Sequence, residues 1–341
     1  MNTDSKVDRI NYLNIGLMFG SLGMAFLAPF EVFLFSYAVL APLHYFSEIA
    51  WLHRRQYFSP GKYDYIWLGL LAVLLFLSQF VFTSFQSGAA GLIAFGFLFS
   101  FAVIVLKNPY YKGIAALLII LSAIWLTDVR WYFVLFAIFM TTIVHTFIFT
   151  GMFILQGALK ESTFSGLLSL AVFIGCVAAC FLIVPSSGLS DLSLYLRESY
   201  GPFWGVNVEL MKLFQLPVES FQDLYMTPGA LMVMHFVAFV YLYHFMNWFS
   251  KTSVIGWHQG SRLSLFLVFL SWFSCLGIFW YDYRTGLSVL YFFSILHVFL
   301  EFPLNHQTFL GVGRALLARR GEAQLRAAVE GSGIFIEKMI K

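Results

Sequence analysis

Residues 31–52 read EVFLFSYAVLAPLHYFSEIAWL, and this stretch decides the fold class. It is long enough to cross the hydrocarbon core of a membrane as one helix, because about 20 predominantly apolar residues are sufficient. Its interior also carries His44 and Glu48, two ionisable side chains whose burial in hydrocarbon is costly. An ionisable pair inside an apolar helix therefore predicts a functional site within a membrane.

The composition places the whole chain among integral membrane proteins. Of the 341 residues, 60% are hydrophobic and 11% are charged, whereas soluble domains carry about 25% charged residues. The mean hydropathy is +0.82, and the net charge of +3 gives no indication of nucleic-acid binding. Residues 1–14 lack the basic start and apolar middle of a signal peptide, so we expect the first helix to remain in the mature protein.

Apolar windows of membrane-spanning length recur along the chain and predict an all-α polytopic transmembrane bundle of about ten helices. The predicted segments are 14–29, 31–52, 65–83, 89–106, 113–127, 131–156, 165–184, 230–249, 263–280 and 286–304. We expect a transmembrane helical domain over 1–310 and a cytoplasmic basic amphipathic tail over 311–341. A long outer loop, 185–229, contains aromatic and amphipathic stretches that predict a cover on the membrane surface.

The distribution of basic residues predicts the orientation of these helices. With both termini in the cytoplasm, sixteen of the 20 Lys and Arg residues fall on the cytoplasmic side of the ten-helix topology. The four outer basic residues are Arg130, Arg197, Lys212 and Arg284. This positive-inside pattern predicts a multi-pass protein of a bacterial inner membrane.

Four histidines lie at a similar depth in four of the predicted helices. His44, His145, His244 and His297 follow the outer ends of their helices by 13, 15, 16 and 13 residues. In the predicted topology these helices all run inward, so the four rings lie about 20–24 Å below the outer boundary. The spacing predicts one intramembrane cluster of imidazoles, and these four residues are the candidate metal ligands.

Two glutamates accompany these histidines and are the candidate catalytic side chains. Glu48 follows His44 by four residues and Glu301 follows His297 by four, so each pair shares one helical face. A carboxylate in this position can orient a metal-bound imidazole or bind the metal itself. The alternative is a pair of protonated glutamates, or a proton path that they share with the histidines.

The residue types leave the identity of the metal open, because imidazole suits iron, zinc, copper and nickel. Open coordination positions beside two carboxylates favour ferrous iron, Fe(II), with zinc or copper as alternatives. His235 is expected on the opposite helical face from His244, and His53, His258 and His306 at cytoplasmic helix ends or loops. The sequence nevertheless allows His235 or His258 to replace one of the four candidate ligands.

The order of these motifs resembles the Brp/Blh-like β-carotene 15,15′-dioxygenase family of membrane enzymes. The resemblance is carried by residues 42–48 (PLHYFSE), 143–145 (IVH), 243–245 (YHF) and 295–301 (ILHVFLE). The chain differs from the family in three respects: Leu43 separates Pro42 from His44, a glutamate stands where the family has an aspartate, and Trp248 stands in place of a further histidine. The resemblance implies a membrane enzyme in which histidine-bound iron supports oxidative cleavage of a carotenoid.

These patterns predict a membrane-embedded iron oxygenase whose long apolar substrate, such as a carotenoid or another lipid, enters from the bilayer. A second hypothesis is a proton- or ion-coupled transporter in which the same histidines and glutamates form a relay. A third is a membrane subunit of a larger complex, with a protein partner bound by the outer loop 185–229 or by the tail. No nucleic-acid partner is expected.

Overall fold

The computed structural model describes residues 3–82, 87–185, 192–220 and 223–331, with side chains from residue 7 to residue 320 within these ranges. Over these ranges the chain forms helices and no β-strand, which confirms the all-α prediction. In chain order the helices are α1 Thr3–Leu27, α2 Pro29–Arg54, α3 Asp64–Phe80, α4 Ala89–Val105, α5 Pro109–Trp125, α6 Arg130–Glu161, α7 Phe164–Leu182, α8 Leu194–Tyr200, α9 Trp204–Leu213, α10 Asp223–Met226, α11 Pro228–Ser250, α12 Thr252–Ile255, α13 Arg262–Tyr281 and α14 Tyr283–Gly331.

The long helices have the lengths and the apolar character of membrane spans. Seven of the described helices are long and apolar enough to cross a membrane. Helices α3, α4 and α5 are also apolar but have 17 residues each. Each of the ten predicted segments overlaps one of these helices. The chain is an integral membrane protein built as a helical bundle.

Helix α11 lies at the centre of the bundle. Within its most apolar window 83% of the residues are buried inside the protein, compared with 11% for α13. It contacts α1, α2, α6 and α7. A helix that is hydrophobic all round is expected in such a central position, because every face can then be buried. Side chains on α11 are therefore surrounded by protein rather than by lipid.

The N-terminus of α11 is capped by Thr227, whose hydroxyl accepts the backbone N–H of Ala230 at 3.2 Å and donates to the carbonyl of Asp223 at 3.0 Å. We expect Thr227→Ala to lower the free energy of unfolding by about 1 kcal/mol, because the substitution leaves a helix N–H without a partner. Thr227→Ser keeps the hydroxyl and should remain near the wild type. Thermal unfolding in detergent, followed by circular dichroism, compares the three proteins. Equal stability of Thr227→Ala and Thr227→Ser would contradict this role for the cap.

Two of the histidine-bearing helices contain π-helical segments, Ser36–Leu40 in α2 and Val134–Phe149 in α6. In a π-helix the backbone hydrogen bonds join residues five apart, and such segments occur frequently at functional sites. A regular α-helix was expected over both stretches, and the structure has π-helical hydrogen bonds there instead. Apolar composition does not distinguish the two hydrogen-bond patterns, because both satisfy every backbone group inside the helix. His145 lies within the longer segment, so its side-chain register differs from that of an α-helix.

The predicted outer loop, 185–229, is folded against the bundle wherever it is described. Helices α8, α9 and α10 contact α2, α6 and α11. Tyr200 and Tyr225 are buried, and the Tyr200 hydroxyl donates to Asn207 Oδ1 at 2.6 Å. Parts of the predicted loop, 186–191 and 221–222, lie outside the described residues. The described part covers the predicted outer end of the central helices.

The last helix continues through the predicted boundary between bundle and tail. Helix α14 is unbroken at residue 310 and reaches Gly331, so the predicted tail begins inside a helix. The Arg319 guanidinium donates to the carbonyl of Leu159 at 2.9 Å and to the hydroxyl of Ser162 at 2.7 Å. These contacts attach the base of the tail to the end of α6. Residues 332–341 of the predicted tail lie outside the described residues.

Candidate metal centre

The four predicted histidines converge in the interior of the bundle. His44 on α2, His145 on α6, His244 on α11 and His297 on α14 are exposed by 1%, 3%, 9% and 1%. The Nε2 atoms of His44 and His244 are 3.1 Å apart, and so are those of His145 and His297. The ring centroids are 4.8 Å apart for His145 and His244 and 5.4 Å apart for His44 and His297. We call these four residues the histidine cluster.

Hydrogen bonds at Nδ1 of His297 and of His244 orient these two rings so that their Nε2 atoms face the cluster. His297 Nδ1–H donates to the carbonyl of Phe293 at 3.2 Å, which leaves the lone pair of the neutral ring on Nε2. Nδ1 of His244 lies 2.9 Å from the hydroxyl of Thr150, and donation there gives the same tautomer. In a tetrahedral metal site with metal–nitrogen bonds of about 2.0–2.1 Å, the ligand nitrogens are about 3.3 Å apart. The two separations of 3.1 Å are close to this value, and candidate ligand atoms of His44, His145 and His244 all lie within 4.8 Å of one another, so these residues fit ligands of a metal ion.

Glu301 contacts a histidine of another helix. Its Oε2 lies 3.1 Å from Nδ1 of His145, the nitrogen on the far side of the ring from the cluster. The four-residue spacing predicted that Glu301 shares a helical face with His297, whereas its carboxylate contacts His145 on α6. A carboxylate behind a metal-bound imidazole orients the ring and increases its basicity. Glu301 occupies that position for His145.

Glu48 has a different position, on the metal-facing side of its histidine. Its Oε2 lies 3.1 Å from Nε2 of His44, the same nitrogen that faces His244. Candidate ligand atoms of His44, Glu48 and His297 all lie within 4.8 Å of one another. The carboxyl groups of Glu48 and Glu301 also interact with each other. Glu48 is therefore within reach of an ion held by the cluster.

Several polar atoms of this site are buried and make no hydrogen bond. They are Nδ1 of His44, Oε2 of Glu48, Nδ1 of His145 and Oε2 of Glu301. The two histidine–glutamate pairs are close, but the angles at their atoms are not those of hydrogen bonds. Buried polar groups without partners are costly, and native proteins seldom contain them without a functional reason. The unpaired Oε2 of Glu48 lies on the cluster side of His44, where a cation bound by the Nε2 atoms would also neutralise this carboxylate, so the residues present fit a metal ion.

Two supporting contacts were missed by sequence reasoning. Thr150 reaches the Nδ1 of His244 from α6, and Ser47 accepts the indole N–H of Trp248 at 2.9 Å. The regular spacing of Thr142, Thr146 and Thr150 was a visible signal for the first contact. Only the packing of α6 against α11 shows which of these threonines reaches an imidazole.

We expect Thr150→Val to lower the metal affinity of the site about tenfold, because the hydroxyl that orients His244 is lost. Thr146→Val is the matched control, since the Thr146 hydroxyl donates only to the carbonyl of Thr142, on its own helix. Titration of the metal-free variants with Fe(II) under anaerobic conditions gives the two affinities. An unchanged affinity in Thr150→Val would show that this hydroxyl does not orient the ring.

The remaining histidines do not join the cluster. His235 packs against Phe26 with ring centroids 4.3 Å apart. His258 is exposed and therefore does not fold under the site, and His53 is also exposed. His306 was expected at a cytoplasmic end, but it is buried inside α14 and its Nε2–H donates to the carbonyl of Phe97 at 2.8 Å. The helix continues past residue 304, which explains the difference.

A small cavity of about 220 Å³, with several polar side chains in its wall, adjoins the cluster on its predicted cytoplasmic side. It is lined by the cluster residues His44 and His244, by both glutamates, and by Thr150, Gln156, Asn247 and Lys251, among others. Burial lowers the pKa of the Lys251 ammonium, just past the end of α11, to about 8. We call this space the inner cavity.

A larger cavity of about 630 Å³ lies on the predicted outer side of the cluster. All four histidine-bearing helices line it, through residues that precede their histidines by seven or three positions: Tyr37, Thr142, Tyr241 and Ser294. Most other lining residues are aromatic or aliphatic, and Tyr200 and Phe203 of the outer segment close the top. We call this space the outer cavity. Its floor lies one helical turn from the histidine cluster.

Tyr45 separates the outer cavity from the histidine cluster. Its ring stacks on that of His297 with centroids 4.0 Å apart, and its hydroxyl lies near Ser294, which lines the cavity floor. The side chain is buried. Tyr45 is therefore in contact with both the candidate metal ligands and the wall of the outer cavity.

No family model, curated protein or solved structure matches this chain. The helical bundle alone does not indicate an activity, because one fold can support many functions. Function is therefore inferred from the histidine cluster and the two cavities that adjoin it.

Proposed function

We propose that this protein is a membrane-embedded, metal-dependent oxygenase that acts on a long apolar substrate. The observation that carries the proposal is the convergence of four buried imidazoles and two carboxylates between an outer cavity and a smaller inner cavity whose wall includes both glutamates. Ionisable groups at this depth in a membrane protein indicate function rather than packing.

The histidine cluster would hold the ion through its Nε2 atoms. Glu48 is close enough to add an oxygen ligand, and Glu301 would hold the ring of His145 in place. We infer ferrous iron because a mixed imidazole and carboxylate site suits iron in oxygen chemistry, with zinc and copper as the alternatives. The oxygen chemistry would come from the bound redox-active metal.

The residues of the outer cavity would bind the substrate, and those of the inner cavity would supply protons. The aromatic and aliphatic walls of the outer cavity exclude water and position an apolar substrate above the cluster. Asn247 and Lys251 in the inner cavity can hold water and supply protons from the predicted cytoplasmic side. Tyr45 would align the substrate where the outer cavity meets His297.

The resemblance to the Brp/Blh-like β-carotene 15,15′-dioxygenase family makes a carotenoid one candidate substrate within this proposal. The order of the histidine motifs supports the relation, together with their convergence at one site. Another lipid is the second candidate, because the outer cavity selects for length and apolarity and carries few polar groups.

A proton or ion relay is supported less well by the same geometry. Among the residues that line the outer cavity there is no carboxylate and no imidazole to continue a relay from the histidine cluster. A relay would need ionisable groups or water on both sides of the cluster. The role of a subunit in a larger complex stays a hypothesis for the outer segment and the tail.

The test uses the purified, iron-loaded full chain in lipid nanodiscs with ¹⁸O₂. β-Carotene and a total lipid extract are offered separately, and the products are analysed by mass spectrometry. We expect ¹⁸O in a product of at least one substrate, and no labelled product when His44, His145, His244 and His297 are all replaced by alanine. An iron-loaded protein that incorporates no label from either source would contradict the oxygenase proposal.

A further inference from the structure

We infer that the outer cavity binds a long-chain carboxylate, with its head group at Arg284 and its chain directed toward the histidine cluster. This inference deepens the proposed function and rests on it for the reaction that follows binding. The binding itself follows from the charge, shape and direction of the cavity.

Arg284 supplies the only charge in the described wall of the outer cavity. It lies in the first turn of α14, at the predicted outer surface, and its side chain is exposed. All the other lining residues are aromatic, aliphatic, small or hydroxyl-bearing. The cavity is thus cationic at one end and apolar along its length, which is complementary to an amphiphile with an anionic head.

The charge of Arg284 is not used in a salt bridge with any described carboxylate. At the same end of the bundle, Arg130 and Lys212 both bind Glu209, at 2.7 and 3.1 Å. The nearby carboxylate of Asp282 instead accepts the backbone N–H of Thr285 at 2.7 Å, and Arg284 affects it only through a longer-range charge interaction. The guanidinium is therefore available to a ligand.

The wall of the cavity forms one continuous stripe along α14. The lining residues of this helix are spaced three or four apart, as one helical face requires: Arg284, Leu287, Ser288, Tyr291, Ser294 and Ile295. The stripe ends just before His297. At a rise of about 1.5 Å per residue, Arg284 lies about 20 Å from the level of His297, which an extended chain of about 16 to 18 carbons spans. A head group at Arg284 would place the far part of the chain beside the cluster.

The single guanidinium distinguishes a carboxylate from the other candidate head groups. A guanidinium pairs with one carboxylate through two parallel hydrogen bonds, and the two charges cancel. A phosphate monoester carries about −1.5 to −2 charge at pH 7, so one arginine would leave part of that charge uncompensated in the cavity mouth. An uncharged carotenoid has no head group that could pair with the Arg284 guanidinium, so Arg284 would not strengthen its binding.

The test is photolabelling of the full chain in phosphatidylcholine nanodiscs with palmitate that carries a diazirine at its terminal carbon. We expect labels on α6 and α14 near Thr142 and Ser294. At a subsaturating probe concentration, Arg284→Gln should reduce the labelling at least about tenfold, because a charge-assisted bidentate contact is lost. Arg130→Gln is the matched control, since Arg130 lies at the same end but outside the cavity wall, and it should label like the wild type.

Competition with unlabelled amphiphiles then tests the head group. Palmitate should displace the probe, and hexadecanol and hexadecyl phosphate should compete at least about tenfold less well. Equal labelling of wild type and Arg284→Gln, or equal competition by hexadecanol, would overturn the inference. Stronger competition by hexadecyl phosphate would replace the carboxylate with a phosphate head group and would also overturn it.

The metal site and the carboxylate site fail in distinguishable ways. His145→Ala removes a candidate metal ligand but no residue of the cavity wall, so photolabelling should persist in this variant. A wild-type chain that contains iron but does not label would leave the proposed oxygenase in place and refute the carboxylate site. A wild-type chain that is photolabelled but binds no metal would support the carboxylate site and refute the proposed oxygenase.

Discussion

His145→Ala should lose bound metal, retaining less than about a tenth of the wild-type content after purification without chelators. His145 lies between two other groups of the site, with its Nε2 3.1 Å from Nε2 of His297 and its Nδ1 3.1 Å from Oε2 of Glu301. Its removal deletes one ligand and leaves Glu301 buried beside an empty space, which costs the folded state an uncompensated polar group. The expected effect is therefore larger than that of any single supporting residue.

His235→Ala is the matched control for this variant. His235 is a buried histidine on α11, it packs against Phe26, and it lies outside the cluster. Both substitutions remove a buried imidazole, so a general loss of stability should affect them alike. Mass spectrometry of the metal content, together with thermal unfolding, separates the two effects. Metal loss from both variants, or from neither, would contradict the assignment of His145 as a ligand.

Glu48→Gln and Glu301→Gln should both weaken metal binding, but in different ways. Glu301 lies behind His145, and loss of such an orienting carboxylate lowers metal affinity about 10- to 100-fold. Glu48 lies at the metal-facing nitrogen of His44, so its replacement should cost at least as much affinity and also alter the ligand set. Glutamine preserves the volume of each side chain, which limits the effect on packing.

Electron paramagnetic resonance of the iron–nitric oxide complex distinguishes the two glutamate variants. The spectrum of Glu301→Gln should match that of the wild type once the site is loaded, because the ligands are unchanged. The spectrum of Glu48→Gln should differ, because an oxygen ligand is lost. Identical spectra for wild type and Glu48→Gln would remove Glu48 from the ligand set and leave the histidine cluster in place.

The sequence alone predicted the helices and the depth of the four histidines because both depend on distances along one chain. An apolar run such as residues 31–52 must form a helix in a membrane, since every backbone polar group needs an internal partner. The position of His44 within that run then gives its depth. Four such positions converge when the helices pack with these faces toward one another, and the structure brings each ring into contact with two of the others.

The roles of the neighbouring side chains depend on contacts between helices, and these were not visible in the chain. The four-residue spacing of His297 and Glu301 indicated one shared helical face, whereas the carboxylate contacts His145 on α6. The π-helical segment of α6, Val134–Phe149, changes the direction of the side chains along it, including His145. The outer cavity also escaped prediction, because its walls come from helices far apart in sequence.

The most direct test of the central claim, that the histidine cluster binds a metal ion, is X-ray absorption on the full chain purified without chelators. Metal content is measured on the same sample. We expect one or two metal ions per chain, iron under the proposed function, with imidazole ligands at about 2.0–2.2 Å, and the loss of this signal in the variant with alanine at His44, His145, His244 and His297. A wild-type chain that contains no stoichiometric metal, or one whose metal has no imidazole ligands, would contradict the claim.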